Sequence, residues 1–192
     1  MPWSEKYRPE TLADVRGNPH AVSQLRAWGS AWERGVPDQR GVILAGPAGC
    51  GKTSAALALA GEMGWEVVEL NASDARSGPV IEGVALRAGL FEGFATDGAA
   101  PRTKLILLDE ADNLYERPEQ SASKEKDFSD RGGRKAVILT LRETRQPVIL
   151  TVNDLYALTK GSGGAFRRLA QTIKFQRLSA ATIREVLNEV AA

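Results

Sequence analysis

The eight residues Gly46-Pro47-Ala48-Gly49-Cys50-Gly51-Lys52-Thr53 have the types and the spacing, Gly-x-x-x-x-Gly-Lys-Thr, that can hold phosphate. Glycines let the backbone turn tightly enough for consecutive N–H groups to converge on one anion, and a helix starting at the lysine adds the partial positive charge of its N-terminus. Lys52 then reaches the β- and γ-phosphates of a nucleoside triphosphate, and Thr53 offers a hydroxyl to Mg2+. Ser54, next along, is counted with the binding residues. Cys50 is the only cysteine and reads as a small filler in the turn rather than a reactive thiol.

A second constellation lies downstream. Leu105-Ile106-Leu107-Leu108-Asp109-Glu110 puts two carboxylates just past an apolar run. Asp109 suits orienting Mg2+ through its water shell, which leaves Glu110 to polarise a water in line with a departing phosphate. Alone, such a run is an ordinary strand end; behind a phosphate loop it is the other half of a phosphoryl-transfer site. Asn153 ends a further apolar run, Pro147-Val148-Ile149-Leu150-Thr151-Val152, and is either a turn-former or a neutral amide that holds the water or the γ-phosphate. Asn71 follows a third strand and is a candidate switch, hydrogen-bonding Glu110 and restraining it until DNA or a neighbouring subunit arrives.

These residues need strands that end side by side. Val42 to Ala45 reads as a strand, Thr53 to Met63 as an Ala- and Leu-rich helix closed by Gly64, Trp65 to Leu70 as a strand, and Val80 to Leu90 as a helix behind Pro79. Lys104 to Leu108 and Val148 to Val152 read as strands with a helix near Lys135 to Glu143 between them, and Thr172 to Phe175 as a last strand. The strands are apolar at consecutive positions, the mark of a parallel sheet covered on both faces, so the class is doubly wound α/β. A helix from Ala180 to Val190 follows, with Ser179 as its N-cap. Two stretches without apolar periodicity, 93–102 and 116–133, read as solvated loops. Trp28 and Trp32, four apart, form one packed face of a helix, and His20 has a surface or packing role.

At 192 residues the chain holds one α/β domain and the start of a second. With 25 Lys plus Arg against 24 Asp plus Glu, no global field draws it to nucleic acid, so any such contact is local. A single cysteine forms no internal disulfide, and the first residues have neither a signal peptide's apolar run nor a membrane span, which points to the cytoplasm.

With these motifs placed, the chain resembles the AAA+ ATPases, and among them the large subunits of archaeal clamp loaders of the replication factor C family. Trp3-Ser4-Glu5-Lys6-Tyr7-Arg8-Pro9 with Leu12-Ala13-Asp14-Val15-Arg16-Gly17-Asn18 is similar to that family's amino-terminal box, and Glu69-Leu70-Asn71-Ala72-Ser73-Asp74 to its motif after the second strand. The resemblance implies a P-loop AAA+ domain over residues 1–176, with a parallel five-stranded sheet flanked by helices, and the start of a helical lid at 177–192. It implies that Tyr7, Arg8, Pro9 and Val15 enclose the adenine of ATP, and that the catalytic residues are Lys52, Glu110 and Asn153. Asp130-Arg131-Gly132-Gly133 and Thr144-Arg145-Gln146-Pro147 look like large-subunit sequence. Small subunits carry an arginine finger in a Ser-Arg-Cys motif; here the stretch is Arg168-Leu169-Ala170, with Arg167 adjacent. By this resemblance the chain receives a finger from a neighbour and hydrolyses ATP slowly alone.

The implied partners are clamp-loader small subunits, a sliding clamp and primer-template DNA, with Arg76 and Arg131 as candidate DNA contacts or, equally, solvated surface arginines. Two rivals remain: another AAA+ DNA-processing motor such as a helicase or initiator, and a nucleotide-binding structural fragment without turnover of its own.

Overall fold

The structure, a computed structural model, describes residues 6–72, 103–114 and 133–191. Five strands form one parallel sheet: β1 (Gly41–Ala45), β2 (Glu66–Asn71), β3 (Lys104–Asp109), β4 (Val148–Val152) and β5 (Ala170–Lys174), in the order β2-β3-β4-β1-β5. Among the described residues the helices are α1 (Pro19–Ala31), α2 (Lys52–Met63), α3 (Gly133–Glu143), α4 (Leu155–Thr159), α5 (Phe166–Leu169) and α6 (Ala180–Ala191).

Strands β1 and β4 are buried at every position, which is why their sequences run apolar without alternation. Alternation is still present between the two faces. Val42 and Leu44 of β1, with Leu105, Leu107, Ile149 and Ile173, face a core made with Leu25, Trp28, Ala55 and Leu59 of α1 and α2. Ile43, Ile106, Leu108, Val148 and Leu150 point the other way, onto Val137, Leu141, Leu158 and Phe166. Helices on both faces of a parallel sheet are the doubly wound arrangement expected from the sequence.

Helix α2 is rich in Ala and Leu and ends where Gly64 turns left-handed at φ 66°. The Trp65 N–H donates to Ala60 O at 2.9 Å and the Gly64 N–H to Gly61 O at 3.2 Å, the paired bonds of a Schellman cap. Ser179 caps α6, its Oγ accepting from the Thr182 N–H at 3.1 Å.

Boundaries differ from the sequence reading by one or two residues. Strand β5 starts at Ala170 and leaves Phe175 just outside it, and Gly133 opens α3 rather than ending a loop. Helix α1 was visible only through its tryptophans. Trp28 packs edge-on against both Trp32, at 6.1 Å between ring centroids, and Trp65, at 6.3 Å, with Trp32 in the 3-10 turn after α1. The helix expected at 80–90, the loop at 93–102 and most of that at 116–133 lie outside the described residues.

Candidate functional site

Strand order brings the predicted residues together. All five strands run parallel, so Asn71, Asp109, Asn153 and Gly46 stand at or just past the carboxyl ends of β2, β3, β4 and β1, along one edge of the sheet. That edge is where ligands of open α/β sheets collect. Strands β3 and β4 are neighbours, which sets Asn153 beside Asp109 and Glu110.

The glycine loop joins β1 to α2. Gly49 and Gly51 take φ of 72° and 93°, and a Cβ on either would meet nothing within 4 Å, so the turn opens on space that side chains do not fill. Cys50 between them points inward and is 2% exposed, part of the apolar core as its filler reading expects. Gly51 carries no side-chain cap at the N-terminus of α2, which leaves the first N–H groups of a 12-residue helix to other acceptors.

Lys52 is 7% exposed. Its Nζ donates to Gly46 O at 2.8 Å, Pro47 O at 2.9 Å and Asn153 Oδ1 at 2.9 Å, with Cys50 Sγ at 4.0 Å. Every strong acceptor is a neutral oxygen, and none of the ion pairs among the described residues involves Lys52. A cation nearly removed from water and without a countercharge favours the approach of an anion.

Beside it, the Thr53 hydroxyl donates to Asp109 Oδ1 at 3.0 Å. The Thr151 hydroxyl also donates to Asp109 Oδ1 and accepts from the Glu110 N–H, the latter at 3.1 Å. One carboxylate and one hydroxyl, both hard oxygens within hydrogen-bond reach, form the donor set that Mg2+ takes from a protein while it keeps waters and phosphate oxygens for its other positions. The residues fit that ion.

Glu110 adopts a left-handed backbone at φ 53° and opens the 3-10 turn Ala111–Asn113, whose Asn113 Nδ2 donates to Glu110 Oε2 at 3.2 Å. Asp112 reaches across to the end of β4. Its Oδ1 accepts from the Asn153 N–H and its Oδ2 from the Asp154 N–H, both at 3.2 Å. Asn71 pairs with Asp109 in the β2–β3 register.

The amino-terminal segment runs along α2, from its far end, where Glu10 O lies close to Gly61, to the glycine loop at Asn18. Leu12 is buried, and its N–H donates to Glu62 of α2, which also takes two bonds from Arg26 of α1. Val15 packs against the core, whereas Tyr7 and Arg8 are exposed and Pro9 half-buried. Asn18, left-handed at φ 52°, is the residue that touches the loop: its Nδ2 donates to Cys50 O at 3.4 Å and to Gln176 O at 3.0 Å, and its Oδ1 accepts from the Gln176 N–H at 2.7 Å. Arg76 and Arg131, with Trp3, Ser4, Glu5, Ser73 and Asp74, lie outside the described residues.

Sequence reasoning missed Asn18, Thr151, Asp112 and Asn113 as site residues. Thr151 had a signal, being a hydroxyl inside an otherwise apolar strand, and so had Asp112, a further carboxylate in Asp109-Glu110-Ala111-Asp112.

Residues 42–161, which carry the glycine loop, Asp109, Glu110 and Asn153, match the family described as ATPase family associated with various cellular activities (AAA). The chain belongs to the AAA family. It is 45% identical over 188 residues to the replication factor C large subunit of Methanosarcina mazei, covering 98% of this chain and 28% of that protein. To that of Methanospirillum hungatei it is 43% identical over 192 residues, 100% of this chain and 35% of that one. The AAA chain described here therefore spans about a third of the length of these curated relatives. RuvB of Thermotoga maritima, a Holliday junction branch migration motor, has the same fold, with a TM-score of 0.66 at 15% identity over 95% of this chain and 53% of that one. Among the described residues no helix is long and apolar enough to cross a membrane.

Proposed function

We propose that this chain is the ATP-binding and ATP-hydrolysing module of a clamp-loader large subunit, working in the cytoplasm with small subunits, a sliding clamp and primer-template DNA. The observation that carries the reading is Lys52: a buried ammonium with neutral acceptors only, set at the mouth of an open glycine turn. The likeness to replication factor C large subunits supports the choice of assembly.

In this reading the loop from Gly46 to Gly51 and the first turn of α2, through Ser54, cradle the phosphates, with Lys52 supplying the countercharge. Tyr7, Arg8, Pro9 and Val15 border the base. Thr53 and Asp109 hold Mg2+, which when bound neutralises charge on the phosphates. Glu110 polarises the attacking water, Asn153 holds it or the γ-phosphate, and Asn71 restrains Glu110 until a partner or DNA arrives. Residues 177–192 begin a helical lid, and Arg76 and Arg131 contact the DNA backbone.

The test is a titration with Mg-ATP. Wild type binds, and Lys52→Ala loses about two orders of magnitude in affinity, as expected when one partner of a buried charge contact is removed. Hydrolysis is slow alone and rises on mixing with small subunits, because the finger for this site comes from a neighbour and copies of this chain, with Leu169 where small subunits place an arginine, do not supply one to each other. Folded wild type that binds no nucleotide refutes the reading. Binding with no turnover in any mixture leaves the rival, a nucleotide-binding structural fragment.

A further inference from the structure

The hydrogen-bonded register between β3 and β4 covers only Ile106 to Leu108 against Val148 to Leu150. Past it, where the reacting groups sit, side chains hold the two strand ends together. Thr151 ties β4 to Asp109 and to the Glu110 N–H, and Asp112 ties the Glu110 turn to the Asn153 and Asp154 N–H groups.

We propose that Asp112 is a positioning residue for ATP hydrolysis: its carboxylate fixes the Asn153 backbone relative to the Glu110 turn, so that the Asn153 amide and the Glu110 carboxylate face the same water. The proposal rests on the ATPase reading above. Asp112 is two residues from Glu110 in a turn anchored by the fully buried Ala111, and the same turn holds Glu110 through Asn113. Displacing the turn therefore displaces Glu110. On the other side, Asn153 Oδ1 is within 2.9 Å of Lys52 Nζ, so the backbone held by Asp112 sets where that amide meets the phosphate end of the site.

Each of the two bonds has a carboxylate acceptor and is stronger than a bond between neutral groups. Asp154 is itself engaged, its Oδ1 accepting from the Tyr156 and Ala157 N–H groups at the start of α4, so the bridge ends on a braced turn. An asparagine at 112 keeps one acceptor and turns an NH2 toward the other N–H. The nucleotide cradle is untouched by that change, whereas the relative placement of Glu110 and Asn153 is not. Outer-shell contacts of this kind are worth about 10–100-fold in activity.

The experiment compares wild type with Asp112→Asn and Asp112→Ala. Mg-ATP affinity and single-turnover hydrolysis are measured with small subunits present, and hydrogen exchange of the Asn153 and Asp154 amides of the chain is followed by NMR. Hydrolysis is expected to fall about 10–100-fold with affinity within about threefold of wild type. The two amides exchange several-fold faster in Asp112→Ala than in wild type, because their acceptor is gone. Unchanged hydrolysis, an equal fall in affinity and rate, or amides whose exchange is the same in Asp112→Ala as in wild type would each overturn the proposal. Wild type that binds no nucleotide while its two amides do lose protection in Asp112→Ala overturns the ATPase reading instead, and the catalytic role of Asp112 with it.

Discussion

Gly46→Ala tests how the phosphate loop is built, because Gly46 is needed for closeness and not for an unusual backbone. A Cβ placed on Gly46 falls 2.2 Å from Phe175 O, 3.0 Å from Phe175 C and 3.1 Å from Phe175 Cβ. A carbon–oxygen contact settles near 3.3 Å, so Phe175 has to retreat by about 1 Å. It is poorly free to do so. Its N–H donates to Ala45 O at 2.7 Å, its side chain is in the core, and the next N–H, of Gln176, donates to Asn18 at 2.7 Å. Overpacking costs about 1–3 kcal/mol and each weakened hydrogen bond about 0.5–1.5 kcal/mol, a loss of roughly 2–5 kcal/mol. In a chain of this size that lowers Tm by roughly 5–15 °C. Gly49→Ala is the control. It has φ of 72° but open space around it, and its cost is the left-handed strain of one residue, about 1–2 kcal/mol. Urea and thermal unfolding followed by circular dichroism should therefore rank Gly46→Ala as the more damaging substitution. A Gly46→Ala protein that melts within about 2 °C of wild type would refute the packing account.

Thr151→Val keeps the shape of a buried side chain but removes the hydroxyl that accepts from the Glu110 N–H; unfolding free energy should fall by about 1–3 kcal/mol, and a denaturant midpoint equal to wild type would count against the contact. The Glu62 carboxyl is held below its ordinary range, first by the Arg26 hydrogen bond and then by the Leu12 N–H, against an opposing cost of burial. A depressed folded value means that its contribution is present above the unfolded pKa and is lost as pH falls through the folded one. Glu62→Gln should accordingly be less stable than wild type by about 0.2–1 kcal/mol near neutrality, the gap closing as pH falls below about 4; a gap independent of pH would contradict the assignment.

What could be read from the chain follows from how local each signal is. The glycine loop, the apolar strands and the Gly64 stop depend on residues adjacent in sequence, and these agree with the fold to within one or two positions. The edge position shared by Asn71, Asp109 and Asn153 required only that the strands be parallel. Asn18 was different. Its role is to join Cys50 to Gln176, 158 positions away from it, and nothing near it in sequence reveals that pairing. Asp112 was passed over because a third carboxylate in an acidic run reads as surface charge until β4 is known to end beside it. Helix α1 was legible only through Trp28 and Trp32 although its entry carries the usual pair, Asn18 at the N-cap and Pro19 at the first helical position; the Asn18 side chain bonds Cys50 and Gln176 rather than capping the helix.

The lysine also shows why the Asn153 backbone needs a holder of its own. An ammonium has three N–H donors, and Lys52 commits them to Gly46 O, Pro47 O and Asn153 Oδ1. A phosphate oxygen bound by Lys52 must displace one of these acceptors or share a donor with it. The two carbonyls belong to a loop gripped from outside: the Gly46 N–H donates to Val152 O at 3.1 Å and Gly46 packs against the Phe175 backbone. Asn153 Oδ1 sits on a side chain that rotates, so it is the acceptor released at least cost. On the proposed reading, once it leaves Lys52 the contacts from Asp112 to the Asn153 and Asp154 N–H groups would still hold its backbone, and the freed amide would turn toward the phosphate and the water from a fixed origin.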